Sequence, residues 1–471
     1  MGKSTYSPRA LIFDRRANFG PLGKGNAFGD VDSGEEPADD ETWNGHIEEH
    51  KQAVIPKSLY QSQMDETDGL GTKETEGNSR RLLQNSNEIR YWSDFNRVFY
   101  VPRSIQALPD PTYGEVVSGN WDGGMDLFAR FNEETSLMED SFRQLLEESD
   151  YFQGLHVVND VDTFGGFTNA LLTAFRDEFS KMPTLTIPLL SSALPTWTGT
   201  NTQATTMIIN EALYLRSLSE ISSMNLPILD PSYWQSDQWS HLVNFDNHNT
   251  YQTSAILSTL LETSTFPLRL SNARADLASF CAQLQGHGTG SFYQLAGYVP
   301  VTTSAIFSSQ LLFDTLSAKH RASQIQDWAC SHVTRGFPPS VITAYEEWRS
   351  DCIGRGTYVS SITAPAYPLP SSYPSIFRES DFVGAGVVIP QMDKRAPPQH
   401  HLRQSMSLPP AVSVLSSIST SSEIAMLFAG YAEHIQKSLG RGATAGGIDA
   451  DETRELISDL WTLHDSYDRV Y

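Results

Sequence analysis

Cysteine is scarce: Cys281, Cys330 and Cys352 are the three in 471 residues, and none stands at the short paired spacing that zinc or iron–sulfur sites use. That excludes a disulfide framework and a cysteine metal site. Basic residues are also few, 33 Lys and Arg against 56 Asp and Glu, for a formal net charge of −23 and a pI near 4.8. So acidic a surface repels phosphate backbones and anionic headgroups, which disfavours direct nucleic-acid binding. No stretch reaches the roughly 20 uncharged apolar residues of a membrane helix, and the first residues lack the apolar core of a secretory leader. The expected compartment is therefore reducing and cytosol-facing. No Gly-x-Ser-x-Gly elbow supports a hydrolase. The triplet Gly2-Lys3-Ser4 lacks the earlier glycine and strand of a P-loop, and Tyr6 stands where a myristoylation signal needs Ser or Thr.

What is present suffices for a large core, with 39% hydrophobic and 11% aromatic residues. Between Asp30 and Glu76 lie 14 acidic residues against Lys51, Lys57 and Lys73, a local charge of −11 in a stretch poor in periodic apolar residues. Burial there cannot offset the ordering entropy, so an acidic, disordered insertion is expected over about 30–87. Around it, strand and helix patterns alternate. Ala10 to Phe13 reads as a strand ending at Asp14, Leu127 to Glu148 as a helix and Leu155 to Val158 as a strand. A glycine turn, Asp162 to Thr168, follows, then a helix to Phe179 and a strand from Thr184 to Leu190. That order predicts a parallel α/β sheet binding ligands beyond the carboxyl ends of its strands. Helices are expected at Thr205–Ser222, Thr253–Glu262, Ala273–Leu284 and Val341–Cys352, a strand at Phe382–Ile389, and two closing helices at Ser422–Leu439 and Asp451–Tyr467.

The wording of these segments is similar to that of tubulins. "SPRALIFDRRANFG" resembles their second strand and loop, "VVSGNWDGGMDLFARFNEETSLMEDSFRQLLEESDYFQGL" the run through their third helix, and "NEALYLRSL" the opening of their core helix. "TSAILSTLLETSTFPLRL" and the stretch from Ser419 to Asp468 resemble later tubulin segments. Within that superfamily "YWSDFNRVFYVPRSI", Tyr91 to Ile105, resembles the Misato family, tubulin-like proteins of mitochondrial distribution and inheritance. The resemblance begins at the second strand; the first strand and its glycine-rich loop have no counterpart in this sequence.

The resemblance implies an α/β, tubulin/FtsZ-like fold. Residues 1–222 would form a nucleotide-binding-type domain with the core helix, 223–400 a second α+β domain, and 401–471 a C-terminal helical region. It makes Asp14, Gly165, Gly166, Thr168 and Asn210 the candidate GTP contacts. Asp14 would stand near the metal, the glycines and Thr168 in the phosphate turn, and Asn210 at the start of the core helix, facing the cleft between domains to read guanine. The set is degenerate: Phe164, Phe167 and Asn169 replace small residues, Thr206 stands where tubulins stack a Tyr, and Ala278 and Ser279 follow Asp276 near where alpha-type tubulins carry a catalytic Glu. Gly165-Gly166 also reads as a plain strand-to-helix turn, Asn210 as a capping or packing residue, Gly286 to Gly290 as a loop, and His400-His401 as solvated. The expected function is that of a non-enzymatic tubulin-like factor in mitochondrial partitioning and mitochondrial DNA inheritance. It would act from the cytoplasm or the outer mitochondrial surface through mitochondrial or cytoskeletal protein partners, or by self-association. An assembling GTPase and a partner-binding module working through the acidic segment are the alternatives.

Overall fold

A computed structural model describes residues 7–24, 55–56, 58–62, 64, 89–96, 98–109, 120–196, 202–234, 243–270, 275–285, 290–302, 307, 313–316, 327–352, 358–377, 410–439 and 448–468. The expected strand at Phe382–Ile389, His400-His401 and residues 286–289 lie outside them. The chain divides into two compact units. One comprises Met1–Val117, Ala129–Phe152 and Ser371–Ser375; the other comprises Ser118–Phe128, Gln153–Pro370 and Ile376–Tyr471.

In the first unit, β1 (Ile12–Arg15) pairs in parallel with β2 (Ile105–Leu108). Phe19, Leu22 and Leu108 are buried beside them. The Trp-Ser-Asp-Phe phrase forms a single 3-10 turn, Trp92–Phe95. Asp94, 2% exposed, accepts hydrogen bonds from the Arg90 and Tyr91 amides at 2.8 and 3.2 Å, and Trp92 meets Phe19 edge-on at 6.0 Å. Gly20 is obligatory there: its φ of 53° is left-handed, and a Cβ would lie 2.7 Å from the Tyr91 ring. The expectation of disorder needs correction at one place, because residues 59–62 and 64 are helical and bury Tyr60 and Met64. Ser58 and Gln61 explain it by bonding each other's backbone amides through their side chains, a capping box over an i,i+4 apolar pair.

The helix expected over 127–148 is also interrupted. Helix α1 (Trp121–Thr135) ends at Ser136, whose φ of 50° leaves the helical region, and a π turn (Met138–Phe142) resumes after it. Asn132 caps the restart by accepting from the Met138 amide at 3.0 Å.

The second unit holds a three-stranded parallel sheet, β3 (Leu155–Asp160), β4 (Thr184–Leu189) and β5 (Met224–Asn225), in that order. Helix α2 (Val161–Glu178) connects β3 to β4, and α3 (Thr202–Ile221), the expected core helix, leads to β5. Arg176 ties the pieces together from α2 by donating to the carbonyl of Ile221 and to Thr184 and Ser223. After α4 (Thr250–Ser264) and α5 (Leu277–Gln285) comes a five-stranded sheet. Its members are β6 (Gln294–Tyr298), β7 (Phe313–Asp314), β8 (Asp327–Arg335), β9 (Tyr358–Ala364) and β12 (Val414–Ser421), ordered β7-β6-β12-β8-β9. The short β10 (Tyr367–Pro368) and β11 (Ala411–Val412) pair separately. Between β8 and β9 runs α6 (Pro339–Cys352). Helices α7 (Glu423–Leu439) and α8 (Ala450–Tyr467) close the chain and share one core with α3, built from residues such as Leu215, Leu218, Phe428, Tyr431, Leu456 and Leu460. The mixed α/β, tubulin-like architecture expected from the sequence is what the strands and helices form.

Candidate functional site

The carboxyl ends of β3 and β4 mark the place where a parallel α/β sheet receives a ligand. The glycine turn expected there is a helix instead: α2 begins at Val161, immediately after β3, and Gly165 and Gly166 lie in its second turn. The cause is local. Asp160 is an extended N-cap whose Oδ1 accepts from the Asp162 amide at 3.0 Å, so the helix starts before the glycines are reached. Their small size serves packing. A Cβ on Gly166 would come within 2.1 Å of the Trp121 carbonyl oxygen, and one on Gly124 within 2.8 Å of the Phe167 nitrogen, so α1 crosses α2 backbone to backbone. Gly165 faces Tyr214 of α3.

Thr168, 6% exposed, also points to α3, hydrogen-bonding Tyr214, whose hydroxyl donates to Asn159 Oδ1 at 2.8 Å. Asn210, 4% exposed, sits two turns inside α3 and not at its start, so it presents no amide to an open cleft. Four of the five candidates thus lie in the second unit, and two of them, Gly165 and Thr168, approach Tyr214 of α3. Asp14 belongs to the first unit, where its Oδ1 accepts from the Arg15 amide and from Asn18 Nδ2, both at 2.8 Å, shaping the turn after β1. Thr206 bonds the Thr202 carbonyl of its own helix. Asp276 caps α5, where hydrogen bonds from the Ser279 amide and hydroxyl hold its carboxyl below the usual range.

Three carboxyl groups stand near the carboxyl ends of β3 and β4. Besides Asp160 there is Asp162, raised in pKa by burial and then by the Asp160 charge. The third is Glu211 of α3, wholly buried and pushed up to about 7, chiefly by desolvation. Glu211 accepts from the Ser191 amide at 2.6 Å through Oε1 and from the Tyr431 hydroxyl at 2.5 Å through Oε2, which links the end of β4, α3 and α7. Sequence reasoning stopped one residue short of Glu211, although it is the second letter of the quoted Asn-Glu-Ala-Leu-Tyr. Asp160, likewise, is the acid just before the expected turn. Among the described residues no group of three or more His, Cys, Asp or Glu could hold a metal ion. Of the amides at the start of α2, that of Asp162 is taken by the Asp160 carboxylate, a charge that disfavours a phosphate at this helix end.

Comparison with known proteins agrees with the fold. A model of the tubulin domain matches residues 82–270, so the second unit's parallel sheet and core helix define a tubulin-like chain. A model of the Misato Segment II tubulin-like domain matches residues 1–66. Protein DML1 of Gibberella zeae is 31% identical over 280 residues, 59% of this chain and 52% of the relative. Protein dml1 of Aspergillus clavatus is 32% identical over 278 residues, 57% of this chain and 50% of the relative. Protein dml-1 of Neurospora crassa is 27% identical over 343 residues, 69% and 60% of the two chains. The chain is a tubulin-like protein of the Misato family, and it spans about half the length of the first two of these relatives.

Proposed function

We propose that the protein is a non-enzymatic tubulin-like factor in mitochondrial partitioning and mitochondrial DNA inheritance, acting from the cytoplasm or the outer mitochondrial surface through protein partners. The mitochondrial part of this reading is supported by kinship with the Misato family. The non-enzymatic part rests on one observation: the Asp160 carboxylate bonds the Asp162 amide at the start of α2, where the helix terminus would otherwise offer it to a phosphate. Without a ligand there, nucleotide adds nothing to stability by mass action. Thermal melting of the chain with millimolar GTP and magnesium is therefore expected to show no shift. A rise of several degrees that GTP gives and ATP does not would overturn the non-enzymatic reading in favour of an assembling GTPase. Mitochondrial association is checked separately by fractionation and protease treatment of intact organelles, where the protein should be digested. Protection from protease would contradict a surface location.

A further inference from the structure

After β4 the chain runs through Ser191 into a short helical turn, Ala193–Thr196, which touches both α3 and α7. Ser191 and Leu194 are half-buried and Ala193 is buried. A Cβ on Gly430 of α7 would stand 3.5 Å from the Leu194 side chain. Glu211 ties this segment down. Its Oε1 accepts from the Ser191 amide at 2.6 Å, and Ser191 Oγ in turn accepts from the Ala193 amide at 3.1 Å. From α7 the Tyr431 hydroxyl meets Glu211 Oε2, and from α2 the Asp162 carboxyl acts on it as a like charge. These are the groups that bear on Glu211 among the described residues, and none is basic. A wholly buried carboxyl that is held by two neutral donors and faced by another acid stays covered without penalty only while it keeps its proton. Once ionised, it is stabilised by reaching water. Helices α3 and α7 are fixed by their common core, to which the described side chains of the turn add only Ala193 and Leu194, so the turn loses least by lifting.

We propose that the segment Ser191–Thr196 is a strap worked by one proton: it lies closed over the α3–α7 seam while Glu211 is protonated, and it lifts when Glu211 ionises. A rise in the surrounding pH thereby opens the seam, and a fall closes it. The closed form binds the additional proton, so the ratio of open to closed chains must climb with pH. For a carboxyl that titrates at about 7 under the strap and at 4.5 in water, the opening constant rises about tenfold from pH 6 to pH 8.

Amide hydrogen exchange of the 471-residue chain, with each observed rate divided by the intrinsic rate at that pH, reads the opening constant at Ser191 and Ala193. The amide of Leu215, buried in the middle of α3, reports unfolding of the whole unit. At every pH the constant at Ser191 and Ala193 should exceed that at Leu215, and it should rise about tenfold between pH 6 and pH 8. Glu211→Gln, which has no proton to lose, should hold the strap at its acid-side constant throughout. Tyr431→Phe removes a hydroxyl that stabilises the carboxylate under the strap and should enlarge the rise. A constant at Ser191 that is flat with pH, or no larger than that at Leu215, overturns the proposal. So does a rise that persists in Glu211→Gln, or one that Tyr431→Phe fails to enlarge.

Discussion

Glu211 holds its proton to about pH 7 in the folded chain, whereas the unfolded chain releases it near 4.5. Between those values the folded state binds the additional proton. The stability this contributes is complete below pH 4.5 and is lost as pH rises through about 7. Glutamine imitates the protonated acid, since its carbonyl can accept from the Ser191 amide and its NH2 can donate to the Tyr431 oxygen. Glu211→Gln should therefore leave the urea midpoint near pH 5 almost unchanged and raise stability at pH 8 by on the order of 2–3 kcal/mol; a variant less stable at both would show that the carboxylate is required. The two glycines of α2 offer a second test. In a phosphate turn both would be needed for backbone approach, but in a helix their neighbours differ. Gly165→Ala meets the Val161 side chain at 3.2 Å and the Tyr214 ring at 4.0 Å, with no backbone in the way, and should be neutral or gain up to about 1 kcal/mol of helix propensity. Gly166→Ala strikes the Trp121 backbone and should lose about 1–3 kcal/mol, readable as a fall in urea midpoint.

Helix ends make α8 sensitive to one residue. Asp449 accepts from the Asp451 and Glu452 amides at 2.8 Å each, and Glu452 reaches back to the Asp449 amide at 3.0 Å. Asp449→Ala should cost about 1 kcal/mol and show first as faster amide exchange in the opening turn of α8. Elements with caps and apolar stripes of this kind were legible in the sequence: α3, α4, α6, α7, α8 and the strands β3 and β4 all lie within a few residues of their expected places. The strands of the five-stranded sheet were not read. Strand β12 shows why. Its sequence is Val-Leu-Ser-Ser-Ile-Ser-Thr-Ser, and every residue is buried. Its hydroxyls are satisfied internally, Ser416 by the Leu260 carbonyl, Thr420 by that of Leu284 and Ser421 by Gln294. A polar sequence can thus fill a core once distant acceptors are folded against it, and those acceptors cannot be seen along the chain. The candidate site shows the same limit: the resemblance pointed to Gly165, Gly166, Thr168 and Asn210, but the partners of Asp160 and Glu211, the Asp162 and Ser191 amides and the Tyr431 hydroxyl, are set by the fold and not by the local sequence.

For the molecule as a whole, a formal charge of −23 is a standing repulsion. Screening shortens its range to about 10 Å at 0.1 M salt, so the melting temperature should rise as sodium chloride goes from low concentration to 0.15 M, and a fall would show that attractive ion pairs outweigh the repulsion. Proteins built around a nucleotide inherit a dependence on its supply, because their folded fraction follows ligand concentration. A carboxylate fixed two residues from the amide it satisfies never dissociates into solution, and its local concentration does not vary with metabolism. On the proposed reading, the amount of folded protein available to a mitochondrion would be set by synthesis and degradation alone, and would stay constant while the cell's GTP rises and falls.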